Sequence, residues 1–171
     1  MQVTFEGHAG WVMCCAFSPD GERVVMASDY KAWLWDAATG ALLLTLEGHA
    51  EAAHSCAFSP NGERIVTGSL DTTAKLRDAE TGALLVTLEE HTGPVTSCAF
   101  SPDGKRLITS STDGTALLWD AATGALLRTL EGSNSCAFSH NSERIMTASD
   151  MSEETPTASS AARSRPTAST S

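Results

Sequence analysis

The chain has 171 residues, 42% of them hydrophobic and 19% charged, with a formal net charge of −10. That is enough apolar material for one sizeable core, yet no apolar run approaches the roughly 18 residues of a membrane span. An acidic surface repels phosphate, so nucleic acid and anionic membranes are poor partners, and a basic peptide or basic protein face is a better one. The same charge also serves simple solubility.

The N-terminus, Met-Gln-Val-Thr-Phe-Glu-Gly-His, has neither a basic start nor an apolar core. It does not read as a signal peptide, so a cytoplasmic setting is expected, with the nucleus left open. Ser-Pro-Asp-Gly at 18–21 then returns as Ser-Pro-Asn-Gly at 59–62 and Ser-Pro-Asp-Gly at 101–104. Gly40, Gly82 and Gly124 each end an Asp-Ala-x-Thr-Gly turn. His8, His49 and His91 recur with them, and Cys15, Cys56, Cys98 and Cys136 each open a Cys-Ala-Phe-Ser. The period is about 42 residues, that of one four-stranded repeat unit.

Within the third unit Val95–Ser101 alternates, with Cys98 and Phe100 on one face. Pro102-Asp103-Gly104 turns: Pro presets φ, Asp bonds back to the chain and Gly accepts positive φ. Arg106–Ser111, Thr115–Trp119 and Ala125–Leu130 supply three further strands between Gly-containing turns. Four short strands with no helical period predict an antiparallel up-and-down sheet. Such a sheet has two apolar faces and hides both only by stacking on copies of itself.

The Gly-His pairs (Gly7-His8, Gly48-His49) and the Trp-Asp pairs (Trp35-Asp36, Trp119-Asp120), at this spacing, resemble the WD40 family over residues 1 to about 150. The resemblance implies an all-β fold, a partial WD40-type β-propeller, open or closed by oligomerisation, made of four-stranded antiparallel blades. The repeats run about 6–46, 47–88 and 89–130, with a truncated 131–150. The blades themselves would run 11–46, 53–88 and 95–130. Gln2–Phe5 would then be the outer strand of a blade whose other strands lie elsewhere. Three and a half units fall short of a closed ring, so self-association to complete the propeller is expected.

His91, Thr109, Asp113 and Trp119 resemble a hydrolase set, but the resemblance implies a structural hydrogen-bond network, with Ser111 as the alternative hydroxyl. Buried imidazole, carboxylate and indole N–H each need a partner, and one chain of bonds satisfies all three. In the second repeat His49, Thr67 and Asp71 remain while Arg77 replaces the tryptophan. In the first, His8, Asp29 and Trp35 remain, and a one-residue deletion puts Met26 or Val25 in the hydroxyl position. A catalytic site is normally unique, whereas this set recurs, so no enzyme activity is expected. There is no Cys-x-x-Cys, no zinc-type spacing and no phosphate loop, so no metal and no cofactor are expected. The four repeated cysteines read as small apolar residues between blades. Cys14 is the extra one, standing where the others have Ser55, Ser97 and Ser135.

Binding residues are sought where otherwise matching units differ. The loop after each histidine is such a place, and Trp11 is its best interface anchor, or else packs on a neighbouring blade. Tyr30, Lys31 and Trp33 form a second candidate patch, and Glu51, with Glu89 and Glu90, offers negative charge to a basic partner. Arg77 is either a charge lining the channel or drift. Residues 151–171 are rich in Ser, Thr, Ala and Pro and read as a disordered tail, or as the product of a shifted frame near residue 150. The expected role is a protein-interaction scaffold presenting propeller loops to a protein or peptide. The alternative is a fragment of a larger regulatory protein whose repeats sense or autoinhibit an attached effector domain.

Overall fold

Turn chemistry sets the length of every strand. At Ser18-Pro19-Asp20-Gly21 the Ser18 carbonyl accepts the Gly21 N–H at 2.8 Å, and the Ser18 hydroxyl accepts the Arg23 N–H at 2.9 Å. The same bonds recur at Ser59 and at Ser101. The alternate turns are closed by an aspartate. Asp36 Oδ1 accepts the Ala38 N–H, the Thr39 N–H and the Thr39 hydroxyl, and Asp78 and Asp120 do the same for their own turns. Side chains that satisfy the turn backbone make these breaks local properties of the sequence.

The computed structural model describes residues 3–5, 10–131 and 135–148. The first sheet runs β1 Val12–Phe17, β2 Arg23–Ser28, β3 Lys31–Asp36 and β4 Leu42–Leu46. The second runs β5 Ala53–Phe58, β6 Arg64–Ser69, β7 Ala74–Asp78 and β8 Leu84–Leu88. The third runs β9 Val95–Phe100, β10 Arg106–Ser111, β11 Thr115–Asp120 and β12 Leu126–Glu131. A pair follows, β13 Ser135–Phe138 and β14 Ile145–Ala148. Within each sheet the strands pair antiparallel in sequence order. The register is repeated as well: Cys15 faces Met26, Cys56 faces Thr67 and Cys98 faces Thr109.

The apolar faces meet between sheets. One core joins the first and second sheets through Val25, Leu34, Leu46, Ala53, Cys56 and Ile65. Another joins the second and third through Val66, Leu76, Leu88, Val95, Leu107 and Trp119. A smaller one joins the third to the β13–β14 pair through Ile108, Leu118 and Cys136. Ile65 and Ile108 are fully enclosed, and such a side chain contributes about 1.5–3 kcal/mol. Because every core is shared, each blade is stabilised by its neighbours. The structure is an unclosed all-β propeller segment.

Val3–Phe5 forms no strand ladder with any described residue. Its position is nevertheless specific. Val3 and Thr4 press on the Gly40 turn, as Leu44 and Leu46 press on Gly82 and Val86 on Gly124. The Phe5 ring sits 5.8 Å from Trp35. These residues therefore lie against the first blade where β4 and β8 lie against the second and third. Gln2, the region around His8 and residues 149–171, including the tail expected to be disordered, lie outside the described residues.

Candidate protein-interaction surface

The third blade holds its histidine in a one-way chain of bonds. Trp119 Nε1–H donates to Thr109 Oγ1 at 2.9 Å, and His91 Nε2 lies 2.8 Å from the same oxygen. His91 Nδ1 lies 2.9 Å from Asp113 Oδ2. A carboxylate only accepts, so Nδ1 carries the imidazole proton and Nε2 takes the threonine hydroxyl's. Asp113 also accepts the Thr92 N–H, the Thr115 N–H and the Thr115 hydroxyl. Burial opposes its charge, but these donors with His91 prevail and hold its pKa far below the usual carboxylate range. Ser111 is outside the chain: it donates to the Gly93 carbonyl and accepts the Asp113 N–H. The arrangement ties the 91–94 loop to the β10–β11 turn. It presents no free nucleophile, because Thr109 is fully buried and its oxygen is already engaged.

In the second blade His49 bonds to Asp71 and Thr67, each at 2.9 Å. Burial lowers the His49 pKa against the pull of Asp71. Burial also opposes the Asp71 charge, but donors from Thr73, Ala50 and His49 hold that carboxyl at about 2. Arg77 is only 8% exposed. Its guanidinium donates to the carbonyls of Gly82 and Glu47. That removes it from the candidate binding residues: it is an internal strut between the Gly82 turn and the β4–β5 connection, with no face for a partner.

The first blade is the incomplete one. Met26 takes the register position of Thr67 and Thr109, so no hydroxyl stands there, and the buried Trp35 Nε1 has no acceptor among the described residues. Asp29 lies directly against Gly10 at a φ of 53°. His8 lies outside the described residues.

The candidate partner residues gather on this blade. Trp11 is 87% exposed and Tyr30 58%, at the same end of the sheet; among the described residues Trp11 packs on no neighbouring blade. Lys31 pairs with Glu47 at 2.6 Å and lies 5.6 Å over the Trp33 ring, which stacks on Trp35. Glu51 is exposed in the next loop. The unexpected feature is the outward face of β1. Val12, Met13, Cys15 and Phe17 are exposed, although the matching Ala53 and Val95 are at 0% and Cys56 and Cys98 are buried.

A recurring arginine was missed at the sequence level. Arg23 donates to Gly62 and Ala79 of the next blade at 2.9 Å each, Arg64 to Ala121, and Arg106 to Ser142. Arg23 also lies over the Phe58 ring at 5.6 Å, and Arg106 over Phe138 at 5.9 Å. Phe17 has no such cover among the described residues and is 66% exposed. The signal was available, since Arg23, Arg64, Arg106 and Arg144 stand at one repeat position. At the end of the sheets away from the histidine loops, a cleft of about 600 Å³ opens between the first two blades. It is lined by Arg23, Asn61, Glu63, Arg64 and Asp78. No cluster of three metal-ligating side chains occurs among the described residues.

Three adjoining four-stranded blades, stacked through shared cores and two of them tied by His-Thr-Asp networks, define a propeller repeat protein. The family model "WD domain, G-beta repeat" matches residues 1–36, 40–78 and 82–120, and the chain belongs to this WD40 family. Each matched segment ends on the aspartate that closes a third strand, so the sequence repeat straddles two blades. Repeats of this family generally serve as scaffolds that bind proteins or peptides, and they are typically not enzymes. No curated protein matches the sequence. Many solved structures do. One, titled "Structure of U3-55K", is 22% identical with a TM-score of 0.74, covering 77% of this chain and 44% of that one. That likeness speaks for the fold. The chain spans less than half the length of that protein.

Proposed function

We propose that the chain presents the outward face of its first blade, with the Trp11 and Tyr30 loops beside it, to a basic protein partner. The observation that carries this reading is the contrast at one strand position: β5 and β9 are sealed against a preceding blade, and no described residue seals the same face of β1. A contiguous apolar face of this kind favours association. Interfaces inside this chain place an arginine over a phenylalanine, so a complementary partner brings a cation to Phe17. The net charge of −10 and the exposed Glu51, Glu89 and Glu90 favour the same class. Phe17→Asp and Trp11→Ala should each abolish capture of proteins that the native chain and a Leu127→Asp surface control both retain, read by quantitative mass spectrometry. Undiminished capture by both variants would remove the assignment.

A second copy is the other occupant that an observation favours. Arg144 holds the repeat position of the interblade arginines and is exposed, and its guanidinium donates to no described residue. Head to tail, Arg144 of one copy would cover Phe17 of the next, repeating an interface the chain already builds twice. Light scattering over a concentration series tests this. Association lost with Phe17→Asp or Arg144→Glu, and regained when the two variants are mixed, supports it. A monomer at every concentration rules it out.

A further inference from the structure

The residue ahead of each repeated Cys-Ala-Phe is Cys14, Ser55, Ser97 or Ser135. At Ser55 and Ser97 the hydroxyl reaches the cysteine of the next blade. Ser55 Oγ lies 3.1 Å from Cys98 Sγ and accepts the Cys98 N–H at 3.0 Å. Ser97 Oγ accepts the Cys136 S–H at 3.8 Å. At the first interface a thiol makes the same reach. Cys14 Sγ accepts the Cys56 N–H at 3.3 Å and donates to the Cys56 carbonyl at 3.5 Å, while the Cys56 thiol donates to the Val25 carbonyl at 3.8 Å. Two cysteines of adjoining sheets thus stand side by side, Cys14 half-buried and Cys56 buried beneath it. A disulfide needs Cα atoms roughly 4.4–6.8 Å apart, and a sulfur within bonding distance of both backbone groups of its neighbour is compatible with that range.

The electrostatics favour the same residue as the attacking group. The neighbouring Cys56 side chain lowers the Cys14 thiol most; burial opposes it, but the Cys56 N–H and nearby His54 act with it and bring that thiol down to about 6. Cys56 is pushed up by the Cys14 side chain and by burial. A thiolate beside a protonated thiol, reachable from solvent, is the arrangement of a redox-sensitive pair.

We propose that Cys14 is a peroxide-reactive thiol that closes a reversible disulfide with Cys56, stapling the first blade to the second. The Cys14 thiolate attacks one oxygen of hydrogen peroxide, the O–O bond breaks, and the departing hydroxide takes a proton to become water. Cys14 is then a neutral sulfenic acid, and the charge that held the Cys56 proton is gone. The Cys56 sulfur attacks the Cys14 sulfur, the S–O bond breaks, and hydroxide leaves with the Cys56 proton as a second water. Two thiols lose two electrons, and one peroxide is reduced to two waters.

The test uses the full reduced chain, treated with hydrogen peroxide, then denatured and alkylated. Of its five thiols, two should be lost and be restored by dithiothreitol, and digestion should yield one linked peptide pair containing residues 14 and 56. Cys14→Ser restores the residue the other blades carry, so it should fold, and it should keep its remaining thiols free. Cys15→Ser should still form the link. Persistence of all five thiols, irreversible oxidation of Cys14 with Cys56 still alkylated, or loss of the link in Cys15→Ser would each overturn the proposal.

Discussion

Thr109→Val and Thr67→Val make the same chemical change in two blades whose networks differ by one donor. Both threonines are fully enclosed, and valine matches threonine in shape, so neither variant opens a cavity. In the third blade the lost hydroxyl leaves two groups without partners, the Trp119 indole N–H and His91 Nε2. At about 1–3 kcal/mol for each buried orphan, the expected loss is roughly 2–6 kcal/mol. In the second blade residue 77 is an arginine turned to the Gly82 and Glu47 carbonyls. Thr67 therefore serves only His49, and the expected loss is about 1–3 kcal/mol. The added methyl offsets both variants equally, so the difference between them isolates one orphaned indole. Urea unfolding followed by tryptophan fluorescence and circular dichroism measures it, provided the slope stays constant across the set. Equal losses, or a larger loss for Thr67→Val, would refute the bond chain described for the third blade.

Thr72 holds a φ of 71° in the turn where the third blade has Gly114. A β-branched residue is strained there, and Thr72→Gly should stabilise the chain by about 1 kcal/mol, raising Tm by roughly 2–4 °C in a thermal melt. Acid should weaken the second blade in a defined window. The folded-state pKa values of Asp71 and His49 both lie below their ordinary values, so the unfolded chain binds protons first and stability falls as pH falls. The His49 contribution is lost as pH drops below about 6.5. That of Asp71, about 2 kcal/mol, is lost between roughly pH 4 and pH 2. Urea midpoints at pH 7, 5 and 3 should decline in the native chain, and the decline between pH 5 and pH 3 should be shallower in Asp71→Asn, where Asp113 still contributes; an unchanged acid limb in that variant would contradict the assignment.

The strands were legible because the turns are self-sufficient: Ser18, Asp36 and their repeats bond to their own backbone and need no distant partner. The networks were legible through periodicity, since His, Thr and Asp recur at one offset. Which residue fills a broken network was settled by register alone. Met26 and Val25 were equal alternatives until the pairing of Cys15 with Met26 chose between them. Arg77 was misjudged as a candidate contact because its acceptors are backbone carbonyls, which every residue has and no sequence pattern marks. The openness of the β1 face was hidden for a related reason. Cys15 and Phe17 repeat the motif of Cys56 and Phe58, and what differs is whether described residues pack in front of them.

Among the three four-stranded blades, the departures from the repeat are concentrated at one interface. Trp11, Cys14, Met26 and Tyr30 all belong to the first blade, and Arg77 reaches back to Glu47 at the same interface. Drift without consequence would spread over all three blades, because each supplies an equivalent strut. Here the second and third blades share the best-formed core, around Leu76, Val95 and Trp119. The first gives up its hydroxyl, leaves an indole N–H unsatisfied and turns aromatic side chains outward. A blade held by only one described neighbour can open locally at lower cost than one held by two. The first blade is therefore where a binding event or an oxidised Cys14 would shift the stability of the array most, since either adds a constraint where the chain's own struts are fewest.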